Sequence, residues 1–160
     1  MVCSPAFARL SETPEQLAHR FGPAAPLVRN ATTYFQGHTY PIGSILSFSA
    51  EDWSIECTIV DGVCAQITYR KTGDFTDEQL TTILTNESEG SKWSEQTTFT
   101  TVVDSYFVPQ AHVREWKRED GAHATKISGS ITLTNSKYDK AVEAAKAKGT
   151  SDAAKMPGNL

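Results

Sequence analysis

Apolar and polar positions alternate from Trp53 to Tyr69 around a central Asp61-Gly62, the mark of an antiparallel hairpin. Two turns are compatible with this stretch. A two-residue turn at Asp61-Gly62 sets Ile59 opposite Cys64, Cys57 opposite Gln66 and Glu56 opposite Ile67, which mixes polar and apolar side chains on both faces. A three-residue loop, Val60-Asp61-Gly62, sets Ile59 opposite Val63, Cys57 opposite Ala65, Ile55 opposite Ile67 and Trp53 opposite Tyr69. One face is then apolar, and the other carries Ser54, Glu56, Thr58, Cys64, Gln66 and Thr68, as a half-buried sheet requires. The three-residue loop with a bulge at Gly62 is therefore the expected form. It places Cys57 and Cys64 on opposite faces, as two unpaired thiols, with Cys57 a small core residue.

Elsewhere the period changes to that of a helix. Thr13 caps a first helix, with Pro14 at its first position, Gln16 completing a capping box, and Leu17 and Phe21 on one face before Gly22-Pro23 ends it. Thr76 and Gln79 repeat the capping box, Phe75 and Leu80 form a hydrophobic staple, and Leu80, Ile83 and Leu84 make a buried stripe. A third helix is capped by Asn135 or Ser136 and runs to about Lys148, with Tyr138, Val142 and Ala145 as its apolar stripe and Gly149 as its stop. Between the helices the chain reads as strands. Ala31 to Thr39 and Ser44 to Ser49 flank a turn at Tyr40-Pro41-Ile42-Gly43. Thr97 to Val108 is a long strand with Phe99, Val103 and Phe107 on one face. His112 to Arg118 and Ala122 to Thr134 pair around Glu119-Asp120-Gly121, with Val113, Ile127, Ile131 and Leu133 toward the core. This pattern predicts an α+β fold: an antiparallel sheet of about six to seven strands with two or three helices packed on one face, those over residues 13–21 and 76–86 among them. Thr13-Pro-Glu-Gln-Leu17 is echoed by Thr76-Asp-Glu-Gln-Leu80, but the strand residues that follow do not match, and the echo reads as shared helix punctuation.

Composition narrows the functional classes. The chain has 160 residues, enough for one domain that buries roughly 70% of the surface its unfolded form exposes. Its net charge of −4 argues against general nucleic-acid binding, and no apolar run is long enough for a membrane span. Ala6-Phe7-Ala8 fits the small-residue pattern accepted by a signal peptidase, so residues 1–8 read as a residual signal-peptide stub, residues 9–149 as a single domain and residues 150–160 as a flexible tail. The expected location is periplasmic or secreted, and loss of Cys3 with the stub leaves the pair Cys57 and Cys64.

The first half carries a resemblance. A helix entered by Thr13-Pro-Glu-Gln-Leu17 and ended by Phe21-Gly-Pro23, then a meander closing on Val60-Asp-Gly-Val63, resembles the small exported domains of the outer-membrane-assembly lipoprotein (SmpA/OmlA) type and the similar beta-lactamase inhibitor protein fold. The resemblance covers about Thr13 to Lys71 and implies helices on one face of an antiparallel sheet and activity through binding other proteins. No lipidation cysteine follows a lipobox, which departs from the lipoprotein pattern, and no site residue carries over.

Catalytic and cofactor motifs are missing. His19, His38, His112 and His123 have neither the helical spacing nor the cysteine company of a zinc site. No nucleophile elbow, phosphate loop or dinucleotide fingerprint is present, so no cofactor or metal is expected. Asn30-Ala-Thr32 and Asn86-Glu-Ser88 fit a glycosylation sequon, which carries little meaning in a bacterial chain. The reading that follows is a non-catalytic exported protein-binding or envelope-assembly module with a protein, anionic or carbohydrate envelope partner. The alternative is a small hydrolase or lyase with a site assembled across the sheet from Asp104 and His112 or His123. The candidate contact surface lies on the second hairpin. A three-residue loop there sets Trp116 opposite Ala124 and Arg114 opposite Lys126, with Arg118 and His112 on the same face. Trp116 between two arginines has the composition of a binding hot spot, unless the third helix or the tail covers it as a satellite core residue.

Overall fold

The computed structural model describes residues 9–88, 90–96 and 113–155. The expected strand Thr97 to Val108 lies outside them, as do residues 1–8, Asp104 and His112. Among the described residues, eight antiparallel strands form one open sheet, joined by three helices. In chain order these are α1 (Pro14–Phe21), β1 (Arg29–Phe35), β2 (His38–Ala50), β3 (Trp53–Val60), β4 (Val63–Lys71), α2 (Asp77–Asn86), β5 (Trp93–Gln96), β6 (Arg114–Arg118), β7 (His123–Ile127), β8 (Ser130–Thr134) and α3 (Ser136–Lys155). The order across the sheet is β1-β2-β3-β4-β8-β7-β6-β5.

The capping signals at α1 and α2 act as expected. Thr13 and Thr76 each accept from the backbone of the glutamine three residues on, and each glutamine reaches back to the cap. One buried cluster joins Leu17 of α1 and Leu80, Ile83 and Leu84 of α2 to Phe48, Ile55, Cys57, Ile67 and Tyr69 of the sheet. These two helices therefore cover one face. α3 crosses the other. Its Asp139 bonds to His123, whose side chain shares a face with Thr134, Gln66 and Thr58 through the registers of β7, β8, β4 and β3.

The central hairpin corrects the expected register. Asp61 and Gly62 both have positive φ, 49° and 81°, so the turn is the two-residue form rather than the three-residue loop. Val60 faces Val63 and Ile59 faces Cys64; the register then shifts by one, so that Thr58 faces Gln66 and Cys57 faces Ile67. The surplus residue sits inside β4, at Ala65, and not at Gly62. This bulge restores the sorting of faces that the two-residue turn alone would have lost. It also turns Cys64 into the core with Cys57, so the two thiols share a face, both fully buried and both free. The Cys64 backbone, released from its ladder position, donates to Glu12 and accepts from Ser11.

Three other boundaries moved for local reasons. The first hairpin turns at Gln36-Gly37, both at positive φ, rather than at Tyr40 to Gly43. Pro41 then lies within β2 but beyond Ser44, where pairing with β3 begins, so its missing N–H costs no bond on that side. The stretch Ala122 to Thr134 is two strands, not one, because Ser128-Gly129 folds it back and sets Ala124 against Leu133 and Lys126 against Ile131. α3 does not stop at Gly149. It continues to Lys155, so residues 150–155 are helical rather than tail, and Gly149 is required by close packing: a Cβ there would lie 2.7 Å from the Tyr40 hydroxyl.

Candidate functional site

The second hairpin takes the register expected of it. Glu119-Asp120-Gly121 is a three-residue loop with Gly121 at φ 91°, and Trp116 faces Ala124 while Arg114 faces Lys126. Its orientation is the reverse of the expectation. Because β8 folds back on β7, the core face runs through Trp116, Ala124, Leu133 and Ile67, while Ile127 points outward and is exposed. Trp116 is only 5% exposed and belongs to the main cluster beneath α2. It is a core residue, not a free hot spot.

The cations around it are engaged. The Arg114 guanidinium stacks over Trp116 at 5.0 Å and donates to Asp77 at the start of α2 (3.0 Å) and to Glu95 of β5 (2.8 Å). Arg118 donates twice to Asp120 at 2.7 Å, reaches the Glu87 carbonyl, and stacks over Trp93 at 5.3 Å. Lys126 pairs with Asp74 at 2.8 Å. Hydrogen bonds from these cations hold Glu95, Asp120 and Asp74 below the usual carboxylate range, against the opposing effect of burial. The basic row is thus a set of staples that fixes α2 and the β5 edge to the sheet.

Beside the staples is a cleft of about 580 Å³ lined by Trp93 and Trp116 with Thr81, Thr85, Ser88 and Ser91. The Trp93 indole N–H is buried there without an acceptor among the described residues. His123, the one described member of the catalytic alternative, is 42% exposed in its side chain, pairs with Asp139 at 3.2 Å and lines neither this cleft nor the one beneath α3. Among the described residues no cluster of three or more His, Cys, Asp or Glu side chains could hold a metal ion, and no helix is long and apolar enough to cross a membrane.

Sequence reasoning missed two features. Glu87 follows α2 fully buried, its carboxylate accepting the Leu10 N–H on both oxygens at 3.2 and 3.1 Å. No local pattern announces a buried carboxylate whose partner lies 77 residues away. The second is the outer strand β1. Leu27 (75% exposed), Val28 (53%) and Tyr34 (71%) are three of the four large exposed apolar residues in the described structure, and all lie in β1 or immediately before it. The adjacent apolar pair Leu27-Val28, which follows the loop residues Pro23-Ala-Ala-Pro26, was the available signal. β1 has seven residues and one charge, Arg29, which is taken up by Glu56 at 2.6 Å. Among the described residues no backbone hydrogen bond reaches its outer side. Comparison of the chain with protein-family models, curated proteins and solved structures finds no match.

Proposed function

We propose that this protein is a non-catalytic binding module, exported to the periplasm or beyond, that captures an extended segment of another protein along the outer side of β1. The observation that carries the reading is the convergence of Leu27 and Val28, immediately before β1, and Tyr34, within it, at the outermost strand of the described sheet. Exposed edges are ordinarily blunted by charge, proline or shortness, because their open N–H and C=O groups recruit other strands. β1 has none of these defences on its outer side, and strand addition uses those groups for affinity and flanking side chains for specificity. Export is supported by the position of Leu10, a buried core residue two positions after the expected cleavage point at Ala8, which places the start of the packed domain just beyond that point. The resemblance of Thr13 to Lys71 to exported protein-binding domains points the same way.

Site-specific photo-crosslinking in the native cell tests the reading. A crosslinker at Val28 or Tyr34 is expected to give a discrete adduct, and one at the exposed Thr81 of α2 is not. Tyr34→Pro, with the crosslinker at Val28, removes a backbone donor that points away from β2 and is expected to abolish the adduct while the protein stays folded. An adduct from Thr81 alone, or none from β1 in a folded protein, refutes strand addition.

A further inference from the structure

α3 is fixed to the far face of the sheet at two points: Asp139 to His123 at 3.2 Å, and Gly149 packed close on the Tyr40 ring. Between them the short side chains of Ala141, Ala144 and Ala145 leave room beside β2 and the β3–β4 turn. A cleft of about 600 Å³ remains, with Pro41, Ile42 and Val60 as its floor. Ala144 lines this space and is exposed.

The rim of the cleft is basic. Arg29, Arg70, Arg114, Arg118 and Lys126 each face a carboxylate. Lys137, Lys140 and Lys148 all line the cleft, and none of their ammonium groups has an ion-pair or hydrogen-bond partner among the described residues. On a helix these three positions share a side, and Lys137 and Lys140 stand one turn apart as neighbours. None of the acids of the helix, Asp139, Glu143 and Asp152, lines the cleft; the acidic residue that does is Asp61, exposed at the β3–β4 turn. In a chain of net charge −4, three cations against the single carboxylate of Asp61, over an apolar floor, leave a net positive surface complementary to an anion with an apolar body. The volume is in the range of pockets that hold small molecules.

We propose that this cleft binds a small amphiphilic anion, its carboxylate or phosphate head against Lys137 and Lys140 and its hydrocarbon body along Ile42, Val60 and Ala144. The site is separate from the β1 edge and does not depend on strand capture.

Titration of the isotope-labelled protein with octanoate and with octyl phosphate, followed by amide NMR, tests it, with octyl glucoside as the neutral control. Both anions are expected to saturate and to shift the amides of Ala141, Ala144 and Val60, and octyl glucoside is expected to leave them unmoved. Lys137→Gln combined with Lys140→Gln should weaken binding by about tenfold or more, as loss of charge-assisted hydrogen bonds implies. Ala144→Leu, which fills the cleft from an exposed helical position, should abolish binding with the remaining amide spectrum intact. Sedimentation with anionic and with neutral vesicles identifies the source. Pelleting with anionic vesicles alone assigns the head to a membrane lipid, and absence of pelleting with retained octyl phosphate binding assigns it to a free amphiphile. Equal binding of octyl glucoside, shifts confined to other surfaces, or an unchanged affinity in the lysine variant overturns the proposal.

Discussion

Truncation of Trp116 distinguishes a core residue from a contact residue. Trp116 is 5% exposed, lies opposite Ala124, and supports α2 against the sheet while Arg114 stacks on its ring at 5.0 Å. Truncating a fully buried Trp to Ala costs about 3–5 kcal/mol. Part of this ring borders the cleft of about 580 Å³, so fewer protein atoms lose contact than at a sealed site, which favours the lower end of that range. Loss of the guanidinium–indole stack adds about 0.5–1 kcal/mol. The expected loss for Trp116→Ala is therefore about 3–4 kcal/mol, and at about 2–4 °C per kcal/mol the Tm should fall by roughly 6–16 °C. Trp116→Phe keeps an aromatic ring in place and should lose clearly less. Urea unfolding followed by far-ultraviolet circular dichroism measures both, with the slope against denaturant as a check that the unfolding reaction is unchanged. A loss below about 1 kcal/mol at an unchanged slope, the size of an ordinary surface substitution, would refute the placement of the ring in the core.

Three further outcomes are expected. Stability should fall in acid: Glu56 is pushed up by burial but held lower overall by Arg70 and Arg29, and Glu95, Asp120 and Asp74 are lowered by Arg114, Arg118 and Lys126. Groups lowered in the folded state stabilise fully above the unfolded carboxylate value of about 4, begin to lose that contribution below it, and have lost it once pH has fallen through their lowered folded-state values, so the urea midpoint should be flat above pH ~5 and drop progressively below ~4; a midpoint that rises on acidification contradicts the pairing. Cys57 and Cys64 should resist alkylation in the native protein and both react once it is unfolded without reductant, because the neighbouring Cys57 thiol and burial push the Cys64 thiol well above its usual range; a species lighter by two hydrogens that takes up no label at these residues would show them joined. N-terminal sequencing of protein recovered from its own cell should begin at Arg9, and a product that retains Met1 to Ala8 refutes cleavage there.

Local signals in the sequence were reliable where a single side chain enforces a backbone state. Thr13 and Thr76 cap their helices as expected, and Gly121 takes the positive φ its three-residue loop requires. The readings failed where two local solutions differ by one residue and tertiary packing chooses between them. At Asp61-Gly62 the sequence favours whichever turn sorts the faces, but a bulge at Ala65 sorts them equally well and adds backbone bonds to Ser11 and Glu12 that no local pattern contains. At Ser128-Gly129 an apolar series of constant parity concealed a reversal, and that reversal moved Trp116 from the expected outer face to the core. The candidate surfaces were the least legible part. The edge at β1 depends on which strand ends the sheet, and the cleft beneath α3 depends on where a helix crosses it. Both are properties of topology.

The attachments of the N-terminal segment carry a consequence for the time course of folding. Leu10 docks onto the carboxylate of Glu87, and Ser11 and Glu12 dock onto the backbone of Cys64. Neither docking site exists until the bulge in β4 and the end of α2 have formed, and Glu87 is itself positioned by Arg118 from β6. Closing these long loops costs entropy that only an assembled sheet can repay. Residues 9–12, and α1 that follows them, should therefore be absent from the folding nucleus, and substitutions there should accelerate unfolding while leaving the folding rate nearly unchanged. The first segment of the domain to be synthesised is the last to be fixed.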